Sequence, residues 1–180
     1  MNETENELQH YQDAIAGMEA CITFLFDQAQ AVSNAYLEEV ADLDRLNSRA
    51  GLRKMGVGIQ LSCTRKGNHL DLKWTGVKWY GSKASRTSKW IAITKTKEKQ
   101  CYTIERLRPY AQEWQIELIR ETEEKLTRIR RKATHVVAAI TNMRNAIRVF
   151  NADEDVKIDA MLYEAERARL EDVGVGRHEI

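Results

Sequence analysis

The chain has 180 residues, 28 lysines and arginines against 27 acids, and a net charge of +1. That length suits one domain, or a small domain on an extended scaffold, and the total charge by itself points to no partner. Three cysteines without a CxxC pair exclude a zinc ribbon and argue against a disulfide framework, while apolar runs no longer than CITFLF and HVVAAI exclude a bilayer span.

Residues 1–50 hold ten acids against Arg45 and Arg49, a net of −8. The polar, acidic start MNETENELQH is the opposite of a signal peptide, so a soluble cytoplasmic chain with no membrane partner is expected. Apolar residues then recur in alternating steps of three and four: Leu8, Tyr11, Ile15, Met18, Ile22, Leu25, Ala29, Val32, Tyr36, Leu43, Leu46 and Ala50. This heptad seam predicts one long coiled-coil helix over 1–50, roughly 65–70 Å in length. A small domain cannot cover such a helix, so it needs a partner helix. Phe24, Phe26 and Leu37 lie off the seam and widen it, which favours association of two copies into a homodimer. Cys21 and Cys63 sit in apolar patterns and are expected to be buried thiols, as suits a reducing compartment.

Residues 53–108 reverse the charge, with fourteen basic residues against Asp71, Glu98 and Glu105, a net of +11. RAGLRKMGVG ends the first helix with glycines and basic residues at the negative end of its dipole. The period then changes to two, and residues 57–102 read as a basic three-stranded β module. Ile59, Leu61 and Cys63 alternate with polar neighbours, RKGN turns the chain, and Leu70, Leu72 and Trp74 alternate with Asp71 and Lys73. Val77 and Trp79 reverse the parity of Trp74, which predicts a bulge or bend at Gly76. The basic loop GSKASRTSK leads to a third strand at WIAITKT.

Residues 109–180 carry twelve basic residues and fourteen acids, a net of −2. A short turn at 104–107 and a proline at the first helical position predict a second long helix from 109 to about 149, within a 103–150 segment. Its seam is Ala111, Trp114, Leu118, Thr122, Leu126, Ile129, Ala133, Val136, Ile140, Met143, Ile147 and Phe150. NADEDV is expected to break it, with a short C-terminal helix at 155–171 and a loose tail after that. RETEEKLTRIRRK holds pairs such as Glu124–Arg128 at helical spacing, which read as solvent-face ion pairs. The fold class expected is α+β: two long helices forming an antiparallel coiled-coil hairpin, with a three-stranded antiparallel meander at the tip.

The stretch KWTGVKWYGSKASRTSKWIAITKTKEK concentrates three of the four tryptophans among seven lysines and one arginine. Trp74 and Trp90 are expected in the core. Trp79 and Tyr80 lie on opposite faces, so at least one should be exposed. Arg65, Lys66, Lys73, Lys78, Lys83, Arg86, Lys89, Lys95 and Lys97, with Trp79 and Tyr80, are the candidate DNA-binding residues. Strands can enter the major groove while lysine, serine and threonine hold phosphates, and duplex DNA is the expected partner rather than single strands. The competing interpretations are a solvated basic face and a coiled-coil adaptor whose sheet docks on an acidic protein. Catalysis is not expected. The four histidines are scattered, no Walker loop or metal-ligand spacing occurs, and no cofactor is implied. His69 and Asp71 share one strand face, a pairing that surface hairpins carry by chance.

LDLKWTGVKWYG, SKWIAITK, YTIERLRPYAQEW and ELIRETEEKLTRIRR together resemble the MobI-type accessory proteins of conjugative plasmids and integrative conjugative elements. The resemblance covers about residues 57–132. It implies a role in conjugative DNA transfer, with binding at the origin of transfer and assistance to the relaxase. It brings no catalytic residues and no DNA contacts.

Overall fold

A computed structural model of the chain describes residues 3–51, 57–82, 85–96 and 100–175. The class is α+β. In chain order the elements are α1 (Glu3–Arg49), β1 (Val57–Lys66), β2 (His69–Tyr80), β3 (Thr87–Ala92), a single turn α2 (Ile104–Leu107), a 3-10 turn (Glu113–Gln115) and α3 (Ile116–Val175). Two compact units form, Gly17–Ala138, which holds the whole sheet, and the described parts of Met1–Ala16 with Ala139–Ile180.

α1 runs without proline, and Gly51 closes it in the left-handed region at φ 74°. Its buried side chains are Ile22, Leu25, Ala29, Ser33 and Tyr36, one face at steps of three and four. The stripe is shorter than the seam predicted. Leu46 is 64% exposed, and Phe24 and Leu37 also face solvent. Cys21, expected to be buried, is exposed as well, because it sits one residue off the buried stripe.

The sheet is an antiparallel meander in the order β1-β2-β3. Gly67 takes φ 58° at the first position of the two-residue β1–β2 turn, as a type II′ hairpin turn requires. Pairing runs unbroken from Val57↔Lys78 to Lys66↔His69, so the bulge expected at Gly76 does not form. The parity change has another cause, namely that Val77 alone is buried on the face away from the helices. Leu72, Trp74 and Gly76 face the helices, and Val77 sits on the opposite face between its cross-strand partners Gly58 and Trp90. Gly76 is required by close packing, since a Cβ there would lie 2.5 Å from the Tyr110 ring. β3 begins at Thr87 and ends at Ala92, so Ile93–Thr96, expected as strand, leaves the sheet.

Contacts along β2 set the direction of both helices. Asn68 donates to Glu19 Oε1 at 2.9 Å and Arg65 to Thr23 Oγ1 at 2.9 Å, while the Tyr36 and Trp74 rings meet edge to face at 5.0 Å. α1 therefore runs in the direction of β2. Glu123 meets Trp74, Arg130 meets Leu72, and Val137 lines one cleft with His69 and Leu70, so α3 runs the other way. The meander thus lies along two antiparallel helices instead of at a tip. An amphipathic sheet buries more apolar area that way than by sitting on helix ends.

α3 also departs from expectation at both ends. It begins at Ile116, not at 109, because Pro109 falls in a turn and Gln112 caps the 3-10 turn by donating its N–H to Gln115 Oε1 at 2.9 Å. It then continues through Asn151–Asp155, where no glycine or proline interrupts it. Residues 155–171 are helical as expected, but as a continuation of α3.

A buried ion pair joins α3 to the sheet. Arg130 donates through Nη1 and Nη2 to the two Glu123 oxygens, both at 2.8 Å, and the side chains are 4% and 6% exposed. Glu123 also accepts from Trp74 Nε1, the Tyr102 backbone N–H and Thr127 Oγ1 at 2.8, 2.8 and 2.9 Å. Arg130 Nε donates to the Leu72 carbonyl at 3.1 Å, and Nη1 to the Gln100 carbonyl at 3.1 Å. Arg130 further stacks over the Tyr102 ring at 5.2 Å. Burial raises the Tyr102 phenol above its ordinary pKa. Two desolvated charges are tolerable here because each is paired and hydrogen-bonded several times over.

Candidate nucleic-acid interface

Since α1 and α3 cover only one face of the sheet, strand alternation sends a defined set of side chains to the other. Cross-strand partners share a face, so the open face carries Gln60, Ser62, Thr64 and Lys66 from β1. It carries His69, Asp71, Lys73, Thr75, Val77 and Trp79 from β2, and Ser88, Trp90 and Ala92 from β3. Trp79 is 44% exposed and Trp90 59%. Trp74 is buried as expected, but Trp90 is not a core residue. It pairs with Val77 on the side away from the helices, a placement that follows from the unbulged register.

The candidate residues do not form one continuous strip. Lys66, Lys73 and Trp79 lie on the open face, and Arg86, in the loop before β3, holds its guanidinium 5.1 Å from the Trp79 ring centre. Lys73 Nζ donates to Asp71 Oδ2 at 2.7 Å, so part of its charge is neutralised locally. Arg65, Lys78, Tyr80 and Lys89 have the opposite parity. Arg65 is occupied structurally, bonded to the Gly67 carbonyl at 2.6 Å and to Thr23 on α1. Lys78 Nζ sits 5.6 Å from the Tyr110 ring centre, and Tyr80 is exposed at the sheet's end. Lys83 and Lys97 lie outside the described residues.

Lys95 belongs to a different place. It lines a cleft of about 690 Å³ with His69, Thr94, Gln100, Arg130 and Thr134, and its ammonium is 5.9 Å from the Tyr102 ring centre. Burial, with the Arg130 charge next, pulls its pKa below the ordinary lysine value. His69 and Asp71 do share the open face, and the carboxylate there is engaged by Lys73.

What sequence reasoning missed is Trp90 as a surface residue and the pairing of Glu123 with Arg130. The first was readable in principle. A parity carried straight through Gly76 puts Val77, Trp79 and Trp90 opposite Trp74. The second was hidden, because RETEEKLTRIRRK offers many pairs closer in sequence.

No helix among the described residues is long and apolar enough to cross a membrane. Neither the curated proteins nor the solved structures provide a match to the chain. The family profile described as MobI protein does match, over residues 25–144. That span includes the sheet, its open face and the Glu123–Arg130 pair, and it exceeds half of the chain. By that match, the chain belongs to the MobI protein family, which ties it to mobilisation.

Proposed function

We propose that this protein is a DNA-binding accessory factor of conjugative transfer, acting at the origin of transfer beside the relaxase and performing no chemistry of its own. The observation that carries this reading is the one-sided packing of the sheet. Both helices are spent on one face, while the other presents Trp79, Trp90, Lys66 and Lys73 with Arg86 at its margin. Membership of the MobI family supports the mobilisation context. Cations hold phosphates and fix the register of the protein on DNA, and aromatic and polar groups of the sheet meet the bases. The helices act as the scaffold. In this reading they complete a coiled-coil hairpin, and two copies associate through outward apolar residues of α1 such as Phe24 and Leu37.

The test is a fluorescence titration with a labelled fragment of the element's transfer origin and a scrambled fragment beside it, at near-physiological salt. Lys66→Glu, Lys73→Glu and Arg86→Glu combined should weaken origin binding at least tenfold. The salt dependence should become shallower by roughly 0.9 in log K per log salt for each phosphate that the protein no longer neutralises. Unchanged affinity in the triple variant would remove the open face from the interface.

A further inference from the structure

We infer that the open face of the sheet is a base-stacking platform for single-stranded DNA, an inference that rests on the DNA-binding reading and specifies its substrate. Two indoles stand on one face, Trp79 opposite Ser88 and Trp90 opposite Val77. Those partners are small, and both rings remain open, at 44% and 59% exposure. In an antiparallel pair such residues are diagonal neighbours, roughly 7–8 Å apart and on adjacent strands.

The chemistry of this patch suits unpaired bases better than a duplex. In the grooves of a duplex only base edges are accessible, and they are read by arginine, lysine, asparagine and glutamine. Around the two indoles the strands β2 and β3 offer Thr75, Val77, Ser88 and Ala92, and of the two base-edge readers nearby Gln60 lies across on β1 while the Arg86 guanidinium is laid over the Trp79 ring. Flat aromatic rings gain most from the faces of bases, and those faces are free only in a single strand. The cations sit where a backbone would pass. Lys73 lies on the same face at one side of the indoles, and Arg86 caps the other side with its guanidinium 5.1 Å from the Trp79 ring centre. A guanidinium on one face of that ring leaves the second face for a base. From Lys73 to Trp79 the strand spans about 20 Å, which accommodates three or four nucleotides. The Asp71 carboxylate, 2.7 Å from Lys73, is the acid on this surface that an incoming phosphate must outcompete.

The experiment uses the full chain, a labelled single strand of about 12 nucleotides and the matched duplex, at near-physiological salt. The single strand should bind at least tenfold more tightly than the duplex and quench tryptophan emission. Trp79→Ala and Trp90→Ala should each weaken single-strand binding by roughly 5- to 150-fold, weaken duplex binding clearly less, and be largely rescued by phenylalanine. Both positions are exposed, so folding is not at stake. Equal or tighter duplex binding, with the alanine variants indifferent, would overturn the inference and leave the DNA-binding reading standing. Alanine variants that convert a dimer to monomer without loss of DNA affinity would overturn it in favour of a second copy on this face. No binding to either DNA, with binding to an acidic polypeptide instead, would overturn both.

Discussion

Arg130 and Glu123 sit seven residues apart, two turns along one helix, and between them hold the sheet, the 100–102 segment and α3 together. Removing one partner strands a buried charge, so Glu123→Ala should cost about 3–5 kcal/mol. For a chain of this length that lowers the thermal midpoint by on the order of 10 °C. Glu123→Leu combined with Arg130→Met should recover part of the loss, and calorimetry would measure both. Tyr36 is the contrary case. Its ring packs on Trp74, but its buried hydroxyl has no hydrogen-bond partner among the described residues. Tyr36→Phe should therefore raise stability by about 1 kcal/mol. Burial raises the Tyr36 phenol above its ordinary 10.0, so the unfolded chain loses this proton first. The corresponding stability is complete below pH 10 and is lost as pH rises from there toward the folded value. The phenylalanine variant should show a smaller alkaline loss in denaturant titrations across that range. Neither residue's role was legible from the sequence. Tyr36 was placed correctly on the apolar seam, yet spacing says nothing about whether a hydroxyl finds a partner. The many acid–base pairs of RETEEKLTRIRRK also look alike until a strand is laid across two of them.

β2 divides the helix-packed side of the sheet from the face proposed to meet DNA, and Gly76 is where its packing is least forgiving. A methyl group there would meet the Tyr110 ring at 2.5 Å, so Gly76→Ala should destabilise by about 1–3 kcal/mol. The same change in a Tyr110→Ala background should cost clearly less, since the clash partner is gone. Additive costs in that double-mutant cycle would show that Tyr110 does not pack there. The hairpin, its Gly67–Asn68 turn and the three-stranded order were readable, because period-two patterning and turn chemistry are local signals. The fate of Gly76 was not. A glycine followed by reversed parity looks the same whether a bulge re-aims the strand or a distant tyrosine covers it, and only the unbroken pairing separates the two. Trp90 was misplaced for the same reason, since its face depends on the register that the supposed bulge would have shifted.

At the scale of the molecule, two helices that run in opposite directions along one face of a meander leave the other face uncovered by either. The long helices themselves were legible from their seams. Their arrangement was read as a hairpin with the sheet beyond it, because heptad spacing reports an apolar stripe without saying whether a helix or a sheet fills it. Ile22, Leu25, Ala29 and Tyr36 on one side, with Ile119, Leu126 and Ile129 on the other, serve a sheet-bearing core that the sequence could not distinguish from a coiled-coil seam. Charge distribution marked the β module without separating its two faces, since several of the basic candidates alternate to the helix side. If DNA meets the open face, oxidative footprinting of the protein with and without transfer-origin DNA will register the contact there. Trp79 and Trp90 should be strongly protected, with Phe24 on α1 and Tyr163 on α3, both exposed in the free protein, oxidised as before. Tryptophans oxidised at an unchanged rate in a saturated complex, with protection appearing at Phe24 or Tyr163 instead, would contradict it.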